Sequence, residues 1–207
     1  PWFILYARGI SHERLGHWPE SEADLRAALK LNPDQPQVMN YLAYSLVEKK
    51  VNLQEALSLI KRAVALQPQS GYIVDSLGWV LYRLKDYKGA VGKLERAVEL
   101  RPQDPTINDH LGDAYWRVGR LNEARFQWQR ALALKPEADQ ESAIEGKLLR
   151  GLGDVVPPAC SEQGDQKAAV DGGASHHAVH AAPPFVRLRI LPRPSPSRPK
   201  GTMNAVP

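Results

Sequence analysis

Four segments that end in proline recur along the chain at an almost constant interval. They read ALKLNP, AVALQP, AVELRP and ALALKP, and their last residues are Pro33, Pro68, Pro102 and Pro136. The intervals between these prolines are 35, 34 and 34 residues, so one unit is present in four copies. A repeat of about 20 to 50 residues is typical of stacked arrays, in which each unit buries its apolar face only against its neighbours.

Each unit divides into two helical patterns separated by a short break. In the third unit the apolar spacing predicts helices over about 71–84 and 87–100, with Asp86 as N-cap of the second helix. The proline then ends the second helix and leads the chain into the next unit. Small residues recur where the two helices must approach closely. They are Gly9, Ala43, Gly78 and Gly112 in the first helices, and Ala28, Ala63, Ala97 and Ala131 in the second.

This pattern of small and large residues resembles the tetratricopeptide repeat (TPR), whose units have about 34 residues. The residues that carry the resemblance are Leu77, Gly78, Tyr87, Ala90, Leu94, Ala97 and Pro102 in the third unit, and Leu111, Gly112, Tyr115, Ala124, Trp128, Ala131 and Pro136 in the fourth. The resemblance implies an all-α fold, an α-α superhelix (TPR solenoid) of four helix pairs. We assign the units to 2–35, 36–70, 71–104 and 105–138.

An amphipathic segment over 139–152 follows the fourth unit and suits a capping helix, because the last unit would otherwise expose its apolar face. This ending resembles the C-terminal repeat array of long bacterial TPR proteins. The chain starts at Pro1 inside a helical pattern, so we expect a fragment of a longer protein. The sequence does not decide between a cytoplasmic protein and one that is exported to the periplasm.

The tail, residues 153–207, is rich in Ala, Gly and Pro and has few large apolar residues, so we expect disorder there. Three other readings are open. His176, His177 and His180 could bind a metal, PRPSPSRP could be a polyproline ligand, and the basic stretch 185–201 could bind acidic lipid or nucleic acid. The tail could also be a frame-shifted extension of a gene that should stop near Leu152.

The sequence contains none of the motifs that would indicate an enzyme. There is no phosphate-binding loop, no H-E-x-x-H motif and one cysteine, Cys160, so we predict no enzyme, no cofactor and no metal site in the array. His12, His17 and His110 fall in different units, and we expect each to be solvated. The formal charge of +4 does not favour nucleic acid, and no apolar run approaches the roughly 20 residues of a membrane span.

The resemblance implies that the first helix of every unit lines a concave groove. The residues that we assign to this protein-binding groove are Tyr44, Asp75, Trp79, Tyr82, Arg83, Asp109, Asp113, Trp116 and Arg117. Aromatic side chains interleaved with charges are typical of binding hot spots. We expect Trp79, Tyr82 and Trp116 to be exposed, although packing between first helices is the alternative. Asp109 and Asp113 are expected to line the groove rather than act as acid and base.

Two functions therefore remain. The first is an adaptor or scaffold that binds a protein or peptide segment in the groove. The second is an architectural array that supports another part of a longer protein and has no ligand. The family's clamp for a terminal carboxylate is absent, because its positions hold Tyr6, Ile10, Tyr41, Tyr72 and Ser76.

Overall fold

The computed structural model describes residues 1–153, and this range contains nine α-helices and no strand. It confirms the all-α prediction; the predictions for the tail concern residues 154–207 and lie outside the described residues. The helices are α1 (Trp2–Arg14), α2 (Trp18–Leu31), α3 (Pro36–Glu48), α4 (Leu53–Leu66), α5 (Gly71–Arg83), α6 (Tyr87–Leu100), α7 (Pro105–Arg117), α8 (Leu121–Ala133) and α9 (Ala138–Arg150).

Consecutive helices form four pairs, α1 with α2, α3 with α4, α5 with α6 and α7 with α8. The connection inside each pair is three or four residues long, which makes the two helices antiparallel. The second helix of each pair contacts the first helix of the next, and α5 also contacts both α3 and α7. The first helices of the last three pairs therefore lie side by side, in the order that a solenoid requires.

Close approach within a pair depends on the small residues that the sequence repeats. A Cβ at Gly78 would lie 2.5 Å from Leu94 Cγ, and one at Gly112 would lie 2.5 Å from Trp128 Cδ1. Any side chain at either position would push the second helix away. Asp86 caps α6 as predicted, since its carboxylate accepts a hydrogen bond from the backbone N–H of Gly89 at 2.9 Å.

Helix α9 packs on the end of the array. Ile144 is fully buried in the same apolar cluster as Trp128, and the Gln140 amide donates to Thr106 Oγ1 of α7 at 3.2 Å. The helix ends at Arg150, and its C-cap Gly151 has a φ of +71° and a ψ of −173°, a region that is essentially restricted to glycine. This conformation turns the next two residues back towards α7.

Candidate protein-binding surface

The nine candidate residues all belong to the first helices, and we call the surface that α1, α3, α5 and α7 form the first-helix wall. Glu48 organises its middle section. Trp79 Nε1 donates to Glu48 Oε1 at 2.7 Å, and Arg83 Nη1 lies 3.4 Å from the same oxygen. The Arg83 guanidinium also stands over the Trp79 ring, 5.8 Å from its centroid. Tyr44 is buried in this section, and burial raises its pKa.

Asp75 and His110 form a buried pair next to Trp79. His110 Nδ1 lies 3.0 Å from Asp75 Oδ1, and the imidazole stacks on Trp79 with ring centroids 4.2 Å apart. The expectation that His110 is solvated is wrong, because the residue is only 6% exposed. Asp75 is fully buried and cannot face a ligand. Burial disfavours the charged imidazolium, but the Asp75 carboxylate outweighs this cost and raises the pKa of His110.

The Tyr82 ring stacks on Trp79 with centroids 4.9 Å apart, and both residues are half-buried. Arg117 Nε donates to Tyr82 Oη at 3.2 Å. The sequence placed these residues in one cluster, and the structure brings them together. Contacts inside the chain cover part of each ring, in line with the alternative of packing between first helices.

Asp109 and Asp113 line the wall, but their carboxylates already hold a cation of the chain itself. Lys147 Nζ of α9 lies 2.7 Å from Asp109 Oδ1 and 2.9 Å from Asp113 Oδ2. Trp128 Nε1 donates to Asp113 Oδ1 at 2.9 Å. Burial raises the pKa of Asp113. The pKa of Lys147 also lies above its usual range, because the two carboxylates outweigh the cost of burying the ammonium.

Trp116 lies beneath the residues that follow α9. It is 7% exposed, and its Nε1 donates to the Leu152 carbonyl at 3.0 Å. Arg117 Nη1 donates to the Gly153 carbonyl at 2.8 Å. The expectation that Trp116 faces the groove is therefore wrong in this structure, because Gly151 brings the chain directly across its ring. The α7 section of the wall is closed by α9 and residues 151–153.

A pocket at the other end of the wall was not in the candidate set. It has a volume of about 240 Å³ and lies between the N-terminal turns of α3 and α5 and the side chain of Tyr6. Asn40 is 8% exposed, and its Oδ1 has no hydrogen-bond partner. The resemblance to the TPR places Tyr6 and Asn40 at the same position of their first helices as Asp75 and Asp109, but neither carries a charge that marks it as a candidate. The pocket is lined by Tyr6, Gln37, Asn40, Tyr41, Gln67, Ser70, Tyr72 and Ile73.

Residues 1–153 contain no cluster of side chains that could hold a metal ion. No helix in that range is both long and apolar enough to cross a membrane.

Models of the tetratricopeptide repeat match residues 6–71 and 105–138, and a further TPR repeat model matches residues 78–119. The chain belongs to the tetratricopeptide repeat family. The TPR repeat-containing protein PA4667 of Pseudomonas aeruginosa is 35% identical over 80 residues, a match that spans 39% of this TPR chain and 14% of that protein.

Solved structures of TPR-like arrays have the same fold. A crystal structure of MamA superposes with a TM-score of 0.58 and 19% identity, over 72% of this chain and 81% of that one. The Pseudomonas aeruginosa PilF structure gives a TM-score of 0.59 and 18% identity, over 70% of this chain and 65% of that one. The TPR family and this fold are typically protein-interaction modules without catalytic activity, which supports the prediction of an interaction module.

Proposed function

We propose that this TPR array binds a protein segment along the first-helix wall, anchored in the pocket beside Asn40 and continuing over the half-buried Trp79, Tyr82 and Arg83. The observation that supports this proposal most directly is that one end of the wall has an open pocket lined by uncharged side chains, whereas the other end is closed by α9.

The pocket also indicates the chemistry of the segment. Its eight lining residues are all uncharged, and three of them are tyrosines. The rings supply contact area for an apolar or aromatic side chain of the segment. At the other end of its path the segment meets Arg83, whose guanidinium favours an acidic residue. We expect a dissociation constant on the order of micromolar for so short a groove, because the entropy lost when the segment is ordered offsets much of the contact energy.

A random peptide library displayed on phage and selected on the immobilised chain tests this proposal. Selected peptides should lose about 2 kcal/mol of binding free energy on Tyr72→Ala or Trp79→Ala. Asn40→Ala should also weaken binding without destabilising the fold, since it removes an unsatisfied polar atom. Phe126→Ala is the matched control, because Phe126 is an aromatic residue on α8 that is 58% exposed. Peptides that bind all four variants equally would refute the proposal.

The second candidate, an architectural array without a ligand, is favoured by a different observation. Eight of the nine predicted groove residues make hydrogen bonds or ion pairs within the chain: Asp75, Trp79, Tyr82, Arg83, Asp109, Asp113, Trp116 and Arg117. On this hypothesis Tyr72→Ala and Trp79→Ala lower the free energy of unfolding and change no binding. The same variants thus separate the two functions.

A further inference from the structure

The pocket between the N-terminal turns of α3 and α5 is lined almost entirely by side chains that can donate a hydrogen bond. Seven of its eight lining residues end in a hydroxyl or an amide group, and none carries a charge. Three of these seven are Tyr6, Tyr41 and Tyr72. Hydroxyl and amide donors beside aromatic rings suit a ligand that combines apolar rings with backbone carbonyl groups.

Contacts within the chain hold the tyrosine rings of the pocket in place. The Tyr6 and Tyr41 rings meet edge to face with centroids 6.1 Å apart, and Tyr41 Oη donates to Glu13 Oε2 at 3.5 Å. The Arg101 guanidinium stands over the Tyr72 ring, 3.8 Å from its centroid. The aromatic walls are therefore ordered before a ligand binds, which lowers the entropy cost of binding.

Proline-rich segments in the polyproline II conformation match this chemistry. Each proline contributes an apolar ring and a carbonyl acceptor but no backbone N–H, and the conformation makes no internal hydrogen bonds. Aromatic-lined grooves bind such segments in several kinds of interaction domain. A segment in the β conformation needs the edge of a sheet to accept its N–H groups, and residues 1–153 contain no strand.

The chain itself carries such a segment beyond the described residues. Residues 192–199 read PRPSPSRP, so four of the 17 prolines of the chain lie within eight residues. Polyproline II has three residues per turn, and the spacing of Pro196 and Pro199 therefore puts both rings on the same edge of that helix. The sequence thus predicts one apolar edge of two prolines that fits an uncharged pocket.

The length of the intervening chain permits this segment to reach the pocket. Gly153 is fixed at the C-terminal end of α7, because its carbonyl accepts from Arg117. The helices are about 20 Å long and neighbouring first helices lie about 10 Å apart, which places the pocket roughly 30–40 Å from Gly153. Pro196 follows Gly153 by 43 residues. A chain of that length spans at most about 140–155 Å, several times the distance required.

We infer that Pro196 and Pro199 of this chain insert into the pocket beside Asn40, so that the segment 192–199 occupies the pocket in cis until a partner segment displaces it. The segment competes for the pocket that anchors the partner in the function proposed above, on which this inference therefore rests. Its charged residues, Arg193 and Arg198, are both basic. They gain nothing at Arg83, where an acidic partner residue does, so a partner can displace the segment.

An anisotropy titration of a fluorescent peptide of residues 190–201 into the full chain tests this occupation. A chain with Pro196→Ala and Pro199→Ala lacks the internal competitor and should bind the peptide with a Kd on the order of 100 µM. A linked segment has an effective concentration on the order of 1 mM, so the wild-type chain should bind the peptide about tenfold more weakly. Tyr72→Ala, added to the double variant, should weaken binding at least about tenfold.

Three controls separate recognition of proline from charge and from unfolding. The peptide with Pro196→Ala and Pro199→Ala has the same charge and length and should not bind. Pro192→Ala in the chain changes a different edge of a polyproline II helix, so this variant should bind the peptide as weakly as the wild type does. Gln67→Lys puts a cation into the pocket at a half-buried position where a helix has ended. It should weaken binding of the basic peptide even if Tyr72→Ala fails to fold.

The inference would be overturned if the double variant showed no saturable binding, if it bound the peptide no more tightly than the wild type, or if binding survived Tyr72→Ala and Gln67→Lys. A wild-type weakness that grows with chain concentration would report a second copy and contradict occupation in cis. Library-selected peptides that depend on Tyr72 and Trp79, alongside a 190–201 peptide that does not bind, would refute this inference alone. A 190–201 peptide that binds through Tyr72 when no library peptide does would refute the partner function instead.

Discussion

The loss in free energy of unfolding caused by Lys147→Met should show how much the contacts of α9 stabilise the last unit. The substitution keeps most of the aliphatic stem but removes the ammonium that lies within 2.9 Å of both Asp109 and Asp113. These three side chains are 17%, 9% and 7% exposed, so water screens the lost attraction little. Breaking a buried ion pair on one side typically costs about 3–5 kcal/mol. We expect about 3 kcal/mol, since Trp128 still donates to Asp113.

Urea unfolding followed by circular dichroism and tryptophan fluorescence measures this cost, with the exposed Lys93→Met as the matched control. Trp116 and Trp128, two of the five tryptophans, lie in the last unit, so the part of the fluorescence change that they contribute should occur at lower urea than the change in circular dichroism. The difference in free energy of unfolding between wild type and variant should become smaller as the pH falls towards the raised pKa of Asp113. A protonated carboxyl carries no charge, so the loss of the Lys147 ammonium then costs less. A loss below about 1 kcal/mol, or a loss that does not change with pH, would refute this reasoning.

Three further predictions concern the same end of the array. Trp116→Ala should cost about 3 kcal/mol in urea unfolding while leaving peptide binding unchanged, because the ring is buried; lost binding with full stability would contradict this. Gly151→Ala should lower thermal stability by about 1–3 kcal/mol, given its φ of +71°, whereas Gly153→Ala, which has open space, should not. The raised pKa of His110 means that its stabilisation is complete below about pH 6.5 and is lost as the pH rises through the folded-state pKa. The free energy of unfolding should thus decline with rising pH in the wild type, and a His110→Gln variant that declines equally would refute the assignment.

The helix pairs could be predicted because each rests on a local pattern that repeats. The glycine of each first helix, the alanines of the second and the terminal proline all specify contacts within a unit or with its neighbour. Asp86 is predictable as a cap for the same reason, since its bond to Gly89 spans three residues. Four copies of such a pattern leave little freedom in the fold.

Which side chains of the first-helix wall are buried or paired could not be predicted, because this depends on contacts between residues about 35 positions apart. Aligning the repeat units shows that Asp75 and His110 belong to adjacent units, but not that their side chains form a buried pair. Likewise, the position of Lys147 in α9 shows a charge near the end of the chain, while its two partners lie 38 and 34 residues earlier. Trp116 could not be recognised as buried, since Gly151 covers it only through an unusual backbone conformation. The pocket was missed because uncharged residues line it.

Hydrogen–deuterium exchange on the full chain, with and without a saturating library-selected peptide, tests most directly whether the open end of the first-helix wall is the recognition surface. Residues 37–41 and 71–79, which carry the pocket lining in α3 and α5 and the adjoining Trp79, should gain protection. The second helices and α9 should be unchanged, and Tyr72→Ala should abolish the gain. Protection confined to α7, α9 or the second helices would contradict the account.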